Sequence, residues 1–211
     1  MSRSGSADRV IGAAARWQAA QPQDRGVLVV AIDGHGAAGK STIAEAVARA
    51  TGAALVHTDD FFRSPPARPR PAAAGGLALR GYYDWRRLRA QALEPLRARR
   101  AVAFRRFDWE RGRGLDGTVA VEPSDLVLVE GVLSASPELS DLVDRSVFVE
   151  TPEPVRLRRL RRRVTPEEWD ADWLIAEQAY FGLVRPPSSF DLVVTGTGRP
   201  APAGSSAVTS T

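Results

Sequence analysis

Cysteine is absent from all 211 residues, which excludes disulfides and thiolate metal sites and agrees with a cytoplasmic location. Histidine occurs only as His35 and His57, too few and too far apart along the chain for an imidazole metal site. No run approaches the roughly 18 apolar residues of a membrane span. Met1 to Asp8 is polar, without an apolar centre, which predicts no secretory signal there. Neither sign of charge dominates, since the net charge is +4. Nucleic-acid binding is therefore not demanded, although an arginine-lined pocket for an anionic substrate is easily accommodated. With 44% hydrophobic and 26% charged residues, the composition fits one globular domain with a substantial core.

The scarcest basic residue is lysine. Of 29 Lys and Arg residues, one is lysine, Lys40. It lies in Gly34-His35-Gly36-Ala37-Ala38-Gly39-Lys40-Ser41, which matches the phosphate-binding pattern G-x-x-x-x-G-K-[ST]. A compact ammonium on a flexible stem suits nucleotide phosphates in a narrow loop better than a planar guanidinium does. Val27 to Ile32 is a continuous apolar run of strand length, as expected for a central parallel strand covered on both faces. After the loop, Ile43, Val47 and Ala50 recur at i, i+4, i+7, predicting a helix that stops near Gly52. Gly34, Gly36, Ala37, Ala38, Gly39, Lys40, Ser41 and Thr42 thus sit at a strand-to-helix turn where backbone N–H groups and the positive helix end converge on a phosphate. The same residues satisfy G-x-G-x-x-G with Asp59 about 20 residues on, the dinucleotide-binding pattern. That reading leaves Lys40 and Ser41 without a purpose, and the phosphate-loop reading requires both.

The remaining pattern predicts a leading helix over 8–20, a strand over 53–57 and a Pro- and Gly-rich loop over 63–80. A helix carrying Leu88, Ala92 and Leu96 follows, kinked or restarted at Pro95. Residues 101–107 and 118–122 can pair as a hairpin across turns at Gly112-Arg113-Gly114 and Asp116-Gly117. Strands at 126–129, 146–150 and 190–195 alternate with helices at 157–164 and 169–184, and the tail 199–211 has a disordered composition. Alternating strands and helices imply an α/β sandwich with a parallel sheet. In such sheets ligands gather at the C-terminal strand ends, where Asp33, Asp59 and Glu130 are predicted. Ser41 is expected to hold Mg²⁺ through its hydroxyl and Glu130 to reach it through water. Asp59 is either a helix N-cap or the group that accepts a proton from an attacking hydroxyl.

These motifs resemble those of the P-loop kinases that include uridine kinase, phosphoribulokinase and bacterial pantothenate kinase. The likeness runs from about Val27 to Val194. It is carried by Ala31-Ile32-Asp33-Gly34, the loop, His57-Thr58-Asp59-Asp60-Phe61-Phe62, Tyr83-Asp84-Trp85, Phe107-Asp108-Trp109, Leu128-Val129-Glu130-Gly131 and Phe148-Val149-Glu150-Thr151. The resemblance implies a three-layer P-loop fold over 1–198 with a five-stranded parallel sheet, a lid region over 156–170 and a small hairpin. It also implies that Asp59 is the catalytic base and that Asp84 meets ribose hydroxyls. Phe62, Tyr83 and Phe107 would line the acceptor pocket, and Lys40, Arg159 and Arg163 would stabilise the transferring phosphoryl group. Thr165 to Asp170 is short and acidic where nucleoside kinases carry glycine and arginine. Phe62 and Phe107 stand where uridine kinases tend to have tyrosine. The expected activity is ATP- and Mg²⁺-dependent phosphorylation of a small molecule, with uridine-like ribonucleosides ahead of pantothenate or another small alcohol. A regulatory ATPase is the reading from another class; a GTPase signature Asn-Lys-x-Asp cannot exist in a chain whose lone lysine is Lys40. No membrane or nucleic-acid partner is expected, and self-association is left open.

Overall fold

Leu28–Asp33 (β1) is buried at every position, and the computed structural model puts it at the centre of the sheet. Residues 3–22, 26–63, 81–162 and 171–197 are described. Residues 64–80 of the Pro-rich loop, the lid residues from Arg163 to Asp170 and the tail 199–211 lie outside them. Ala54–His57 (β2), Leu126–Glu130 (β5), Arg145–Glu150 (β6) and Leu192–Thr195 (β7) complete a five-stranded sheet in the order β2-β5-β1-β6-β7. All its pairs are parallel. The sheet is therefore the parallel α/β arrangement that the alternation predicted, with the five strands of the P-loop fold that the resemblance implies and strand ends close to the predicted positions.

Side chains alternate across each strand, so β1 feeds two cores. Leu28, Val30 and Ile32 face a layer closed by Ala7, Val10 and Ala14 of the helix Arg3–Ala20 (α1) and by Ile43, Ala44 and Val47 of the helix Lys40–Thr51 (α2). Val29 and Ala31 face the opposite layer, with Phe61, Leu88, Leu93, Leu96, Tyr180 and Phe181. Burying each of these large side chains contributes roughly 1.5–3 kcal/mol. α2 ends on Gly52, whose φ of 71° lets its N–H cap the Ala48 carbonyl.

The third helix (α3) starts as Trp85–Leu88, widens into a π turn over Arg89–Leu93 and ends as Glu94–Arg97. Pro95 has no N–H to donate, and the widened turn just before it absorbs the break. Val102–Phe107 (β3) and Leu115–Val121 (β4) form the predicted hairpin as a separate two-stranded sheet. The expected turn at Asp116-Gly117 is a correction: both residues lie within β4. The pairing skips Gly117 between Asp116 and Thr118, and its φ of 51° marks it as the extra residue of a bulge. Glu153–Leu160 (α4) follows β6. The last helix (α5) runs over Ala171–Ala179 and continues as a π turn over Tyr180–Val184. Among the described residues no helix is long and apolar enough to cross a membrane.

Candidate active site

Parallel register brings three strand ends level: Ile32 of β1 and His57 of β2 both pair with Glu130 of β5. The phosphate loop rises from this edge. Its curl is set by left-handed backbone at Ala37 (φ 58°) and Gly39 (φ 101°). A Cβ on Gly34 would lie 2.6 Å from the Val149 carbonyl oxygen, so no side chain fits where the loop leaves the sheet. Thr151 Oγ1 donates to the Ala38 carbonyl at 2.8 Å, and Arg159 Nη1 reaches the Ala37 and Ala38 carbonyls at 2.9 and 3.2 Å. Because C=O and N–H of one planar peptide point in opposite directions, holding the Ala38 carbonyl outward turns the Gly39 N–H toward the other side of the loop. Arg159 thus meets the backbone of the loop; its guanidinium is a positioning group in this conformation.

Lys40 is buried, and its Nζ donates to the His35 carbonyl at 3.0 Å. Ser41 Oγ donates to Glu130 Oε1 at 3.0 Å, and His57 Nδ1 lies 2.7 Å from Glu130 Oε2. Burial pushes the Glu130 carboxyl up, but the His57 hydrogen bond and the Lys40 charge outweigh it and leave it below its ordinary value. His57 is raised in turn, first by its bond to Glu130. Their hydrogen bond favours the ionised carboxylate and the protonated imidazole, beside the Ser41 hydroxyl. A hydroxyl and an ionised carboxylate side by side are hard oxygen donors that suit Mg²⁺. Among the described residues no group of three or more His, Cys, Asp or Glu is arranged to hold a metal ion, so a cation here would depend on phosphate oxygens and water as well.

Asp59 opens the 3-10 turn Thr58–Phe61 that follows β2. The residue is exposed to solvent, yet neighbouring protein atoms partly desolvate its carboxyl group. That desolvation, and next the Glu130 charge, raise its pKa, while Lys40 and the hydrogen bond from Tyr83 oppose the rise. Tyr83 Oη donates to Asp59 Oδ1 at 3.2 Å. Gly131 makes room for this turn: a Cβ there would sit 1.8 Å from Thr58 Oγ1.

Beyond Asp59 the aromatic residues gather. Phe62 packs against Tyr83, Phe107 and Trp109 at centroid distances of 5.2, 5.5 and 4.8 Å, and Trp173 lies 6.0 Å away. Tyr83 and Phe107 are buried and form the back of this wall, whereas Trp109 is 54% exposed. Asp84 serves locally as the N-cap of α3, with Oδ1 accepting from the Arg87 N–H at 3.0 Å. A cavity of about 430 Å³ lies apart from the phosphate loop, lined by Gln91, Ala103, Phe104, Arg105, Leu115 and Thr118.

Two sets of residues have roles that the sequence did not show. Asp33 does not face a ligand: fully buried, it accepts from the N–H groups of Gly34, Leu133 and Ala135 and from Tyr180 Oη, so it ties β1 to the segment after β5. Burial raises its pKa to about 6, against those hydrogen bonds and Lys40. Nor are the histidines idle, since His57 pairs with Glu130 and His35 Nδ1 lies 3.2 Å from Glu177 Oε2. Glu177 was not legible as a site residue. The signal for it was a lone carboxylate among Trp173, Ala176, Tyr180 and Phe181 on the apolar face of α5.

No protein-family model matches the chain. The chain is 28% identical to the uridine kinase of Halobacterium salinarum over 164 residues, 75% of this chain and 72% of that protein. Its structure is similar to that of a possible uridine kinase from Bacillus stearothermophilus, with a TM-score of 0.61 and 22% identity over 87% of this chain and 96% of the other. It is also similar to D-glycerate 3-kinase from Cryptococcus neoformans, with a TM-score of 0.56 and 13% identity over 93% and 96% of the two chains. At these identities the two structures show the shared fold. In sequence the chain is similar to uridine kinases and in fold to P-loop kinase structures, and together these support a uridine kinase-like phosphotransferase.

Proposed function

We infer that the chain transfers the γ-phosphoryl group of ATP to a hydroxyl of a small molecule, and that the acceptor is a ribonucleoside. The observation that carries this reading is Asp59. Its carboxylate lies within the electrostatic reach of Lys40 and Glu130, is held by Tyr83, and stands between the phosphate loop and the aromatic residues around Phe62.

Asp59 takes the proton of the acceptor hydroxyl as its oxygen forms the bond to the γ-phosphorus, and ADP leaves with the electrons of the broken P–O bond. A raised pKa makes the ionised carboxylate a stronger base, so turnover rises with pH as Asp59 ionises. Lys40 leaves the His35 carbonyl for the phosphate oxygens, where its charge offsets charge that develops in the transition state. Ser41 and Glu130 would hold Mg²⁺, which would neutralise phosphate charge when bound. Arg159 keeps the loop carbonyls turned away from the phosphates. Phe62, Tyr83 and Phe107 give the acceptor a flat apolar wall, and Asp84 would contact a ribose diol through its second oxygen. Arg163, outside the described residues, keeps its proposed role on the lid.

A coupled ADP-release screen tests the reading, with ribonucleosides, 2′-deoxynucleosides, pantothenate and glycerate as acceptors and an ATP-only control. A ribonucleoside should stimulate release above the control, and its 2′-deoxy analogue should do so less. Equal rates for ribo and deoxy forms, or stimulation by another alcohol alone, would reassign the acceptor. No stimulation by any of them would favour a regulatory ATPase.

A further inference from the structure

Glu177 is fully buried in the middle of α5. Its Oε1 accepts from the Gly36 N–H at 2.8 Å and from Trp173 Nε1 at 2.7 Å. Its Oε2 lies 3.2 Å from His35 Nδ1 and 4.0 Å from Arg156 Nη1. Burying a carboxylate is costly unless donors or opposite charge surround it; here the donors come from the phosphate loop and from α5 itself, and the Arg156 charge on α4 stands beside them. Burial pushes the group up, but the bond from His35 and the Lys40 charge outweigh it, so Glu177 stays ionised. Arg156 is itself buried, and its Nε and Nη1 have no hydrogen-bond partner; the Glu177 charge is what faces it.

Gly36 completes the fit. A Cβ there would stand 3.1 Å from Glu177 Oε1, so the carboxylate approaches as closely as it does because that position has no side chain. The bond lands on a specific peptide. The carbonyl of His35 and the N–H of Gly36 belong to one planar unit; Lys40 holds the first and Glu177 the second. When Lys40 moves to a nucleotide, the carbonyl end keeps only the Ala38 N–H at 3.1 Å, and Glu177 is the one side chain among these contacts that still fixes the orientation of that peptide. Trp173, one turn earlier on α5, reaches the other way, 5.1 Å from Tyr82 and 6.0 Å from Phe62.

We propose that Glu177 is a positioning residue for phosphoryl transfer, fixing the 35–36 peptide of the phosphate loop and linking it through the Trp173 indole to the aromatic wall on the acceptor side. The inference rests on the phosphotransferase reading above. Occupancy of the loop is then felt at Trp173 without any acceptor present.

The probe is the magnesium complex of a non-hydrolysable ATP analogue, followed in parallel by calorimetry and by tryptophan emission. In the wild-type protein, binding shifts the emission. Glu177→Ala, which strands the Gly36 N–H, should weaken binding about tenfold and abolish the shift. Glu177→Gln keeps an acceptor oxygen for Gly36 and Trp173, so it should bind within about threefold of wild type and retain the shift. Trp173→Phe should lose the shift while calorimetry still detects the nucleotide, and it keeps the link testable should Glu177→Ala not fold. A merely structural Glu177 would lower the melting temperature of Glu177→Ala yet leave its nucleotide affinity at 25 °C unchanged; that result overturns the proposal, as does an emission shift that survives in Trp173→Phe. Failure of the wild-type protein to bind the analogue would overturn the nucleotide reading itself and this inference with it.

Discussion

Two aspartates near the same strand edge have opposite surroundings, and their variants should differ accordingly. Asp59→Asn keeps the size of the side chain and the bond from Tyr83 but removes the proton acceptor. Its kcat should fall by roughly 10² or more while the affinity for MgATP changes little; a retained kcat with lowered thermal stability would make Asp59 a cap instead. Asp33 belongs to the fold. Its folded-state pKa of about 6 lies above the ordinary aspartate value of 3.8, so the proton it keeps stabilises the folded state fully below pH 3.8. This contribution, on the order of 3 kcal/mol, is lost as pH rises to about 6. Asp33→Asn does not titrate and leaves one buried N–H poorly paired. Urea unfolding should therefore show the variant furthest below wild type near pH 4 and closer to it at pH 7; a gap independent of pH would contradict the assigned cause.

Among the elements, local chemistry was legible and long-range chemistry was not. The phosphate loop could be read because its glycines, lysine and serine are contiguous, and β1 and β5 because unbroken apolar runs mark strands covered on both faces. The π turn before Pro95 and the bulge at Gly117 are answers to local strain that periodicity does not encode. His57 and Glu130, or Gly36 and Glu177, meet only through the crossover order of the sheet and the return of α5, so spacing gave no sign of either pair. Asp33 was placed correctly at the end of β1, but its structural role was hidden for a related reason: the three N–H groups that claim it come together only in the fold. Gly131 is the element-scale test. It has a φ of 142°, and a methyl group there would collide with buried Thr58, on the turn that carries Asp59. Gly131→Ala should cost about 2 kcal/mol or more of stability and lower kcat as well, since the turn must shift. Adding Thr58→Ala should restore part of both, measured by thermal melting and by turnover. An unperturbed Gly131→Ala would mean that the β5 end does not set the position of Asp59.

At the scale of the whole molecule, the sheet collects at one edge what the chain spreads from residue 34 to residue 177. A phosphate loop opens from β1, Asp59, the proposed proton acceptor, stands after β2, and the Glu130 carboxylate ends β5. Phe62, Tyr83 and aromatic residues of the hairpin and α5 gather on the proposed acceptor side. This division of labour lets the nucleotide half follow from one short motif, while the acceptor half depends on residues such as Phe62, Trp109 and Trp173 that no motif joins. The most direct test follows the label from γ-³²P-ATP in the presence of uridine and Mg²⁺, with wild-type protein and with Lys40→Ala. The account predicts label in a nucleoside monophosphate for the wild type and none above background for Lys40→Ala, whose lost ammonium no other lysine can replace. Label released only as inorganic phosphate, or equal transfer by the Lys40→Ala protein, would contradict it.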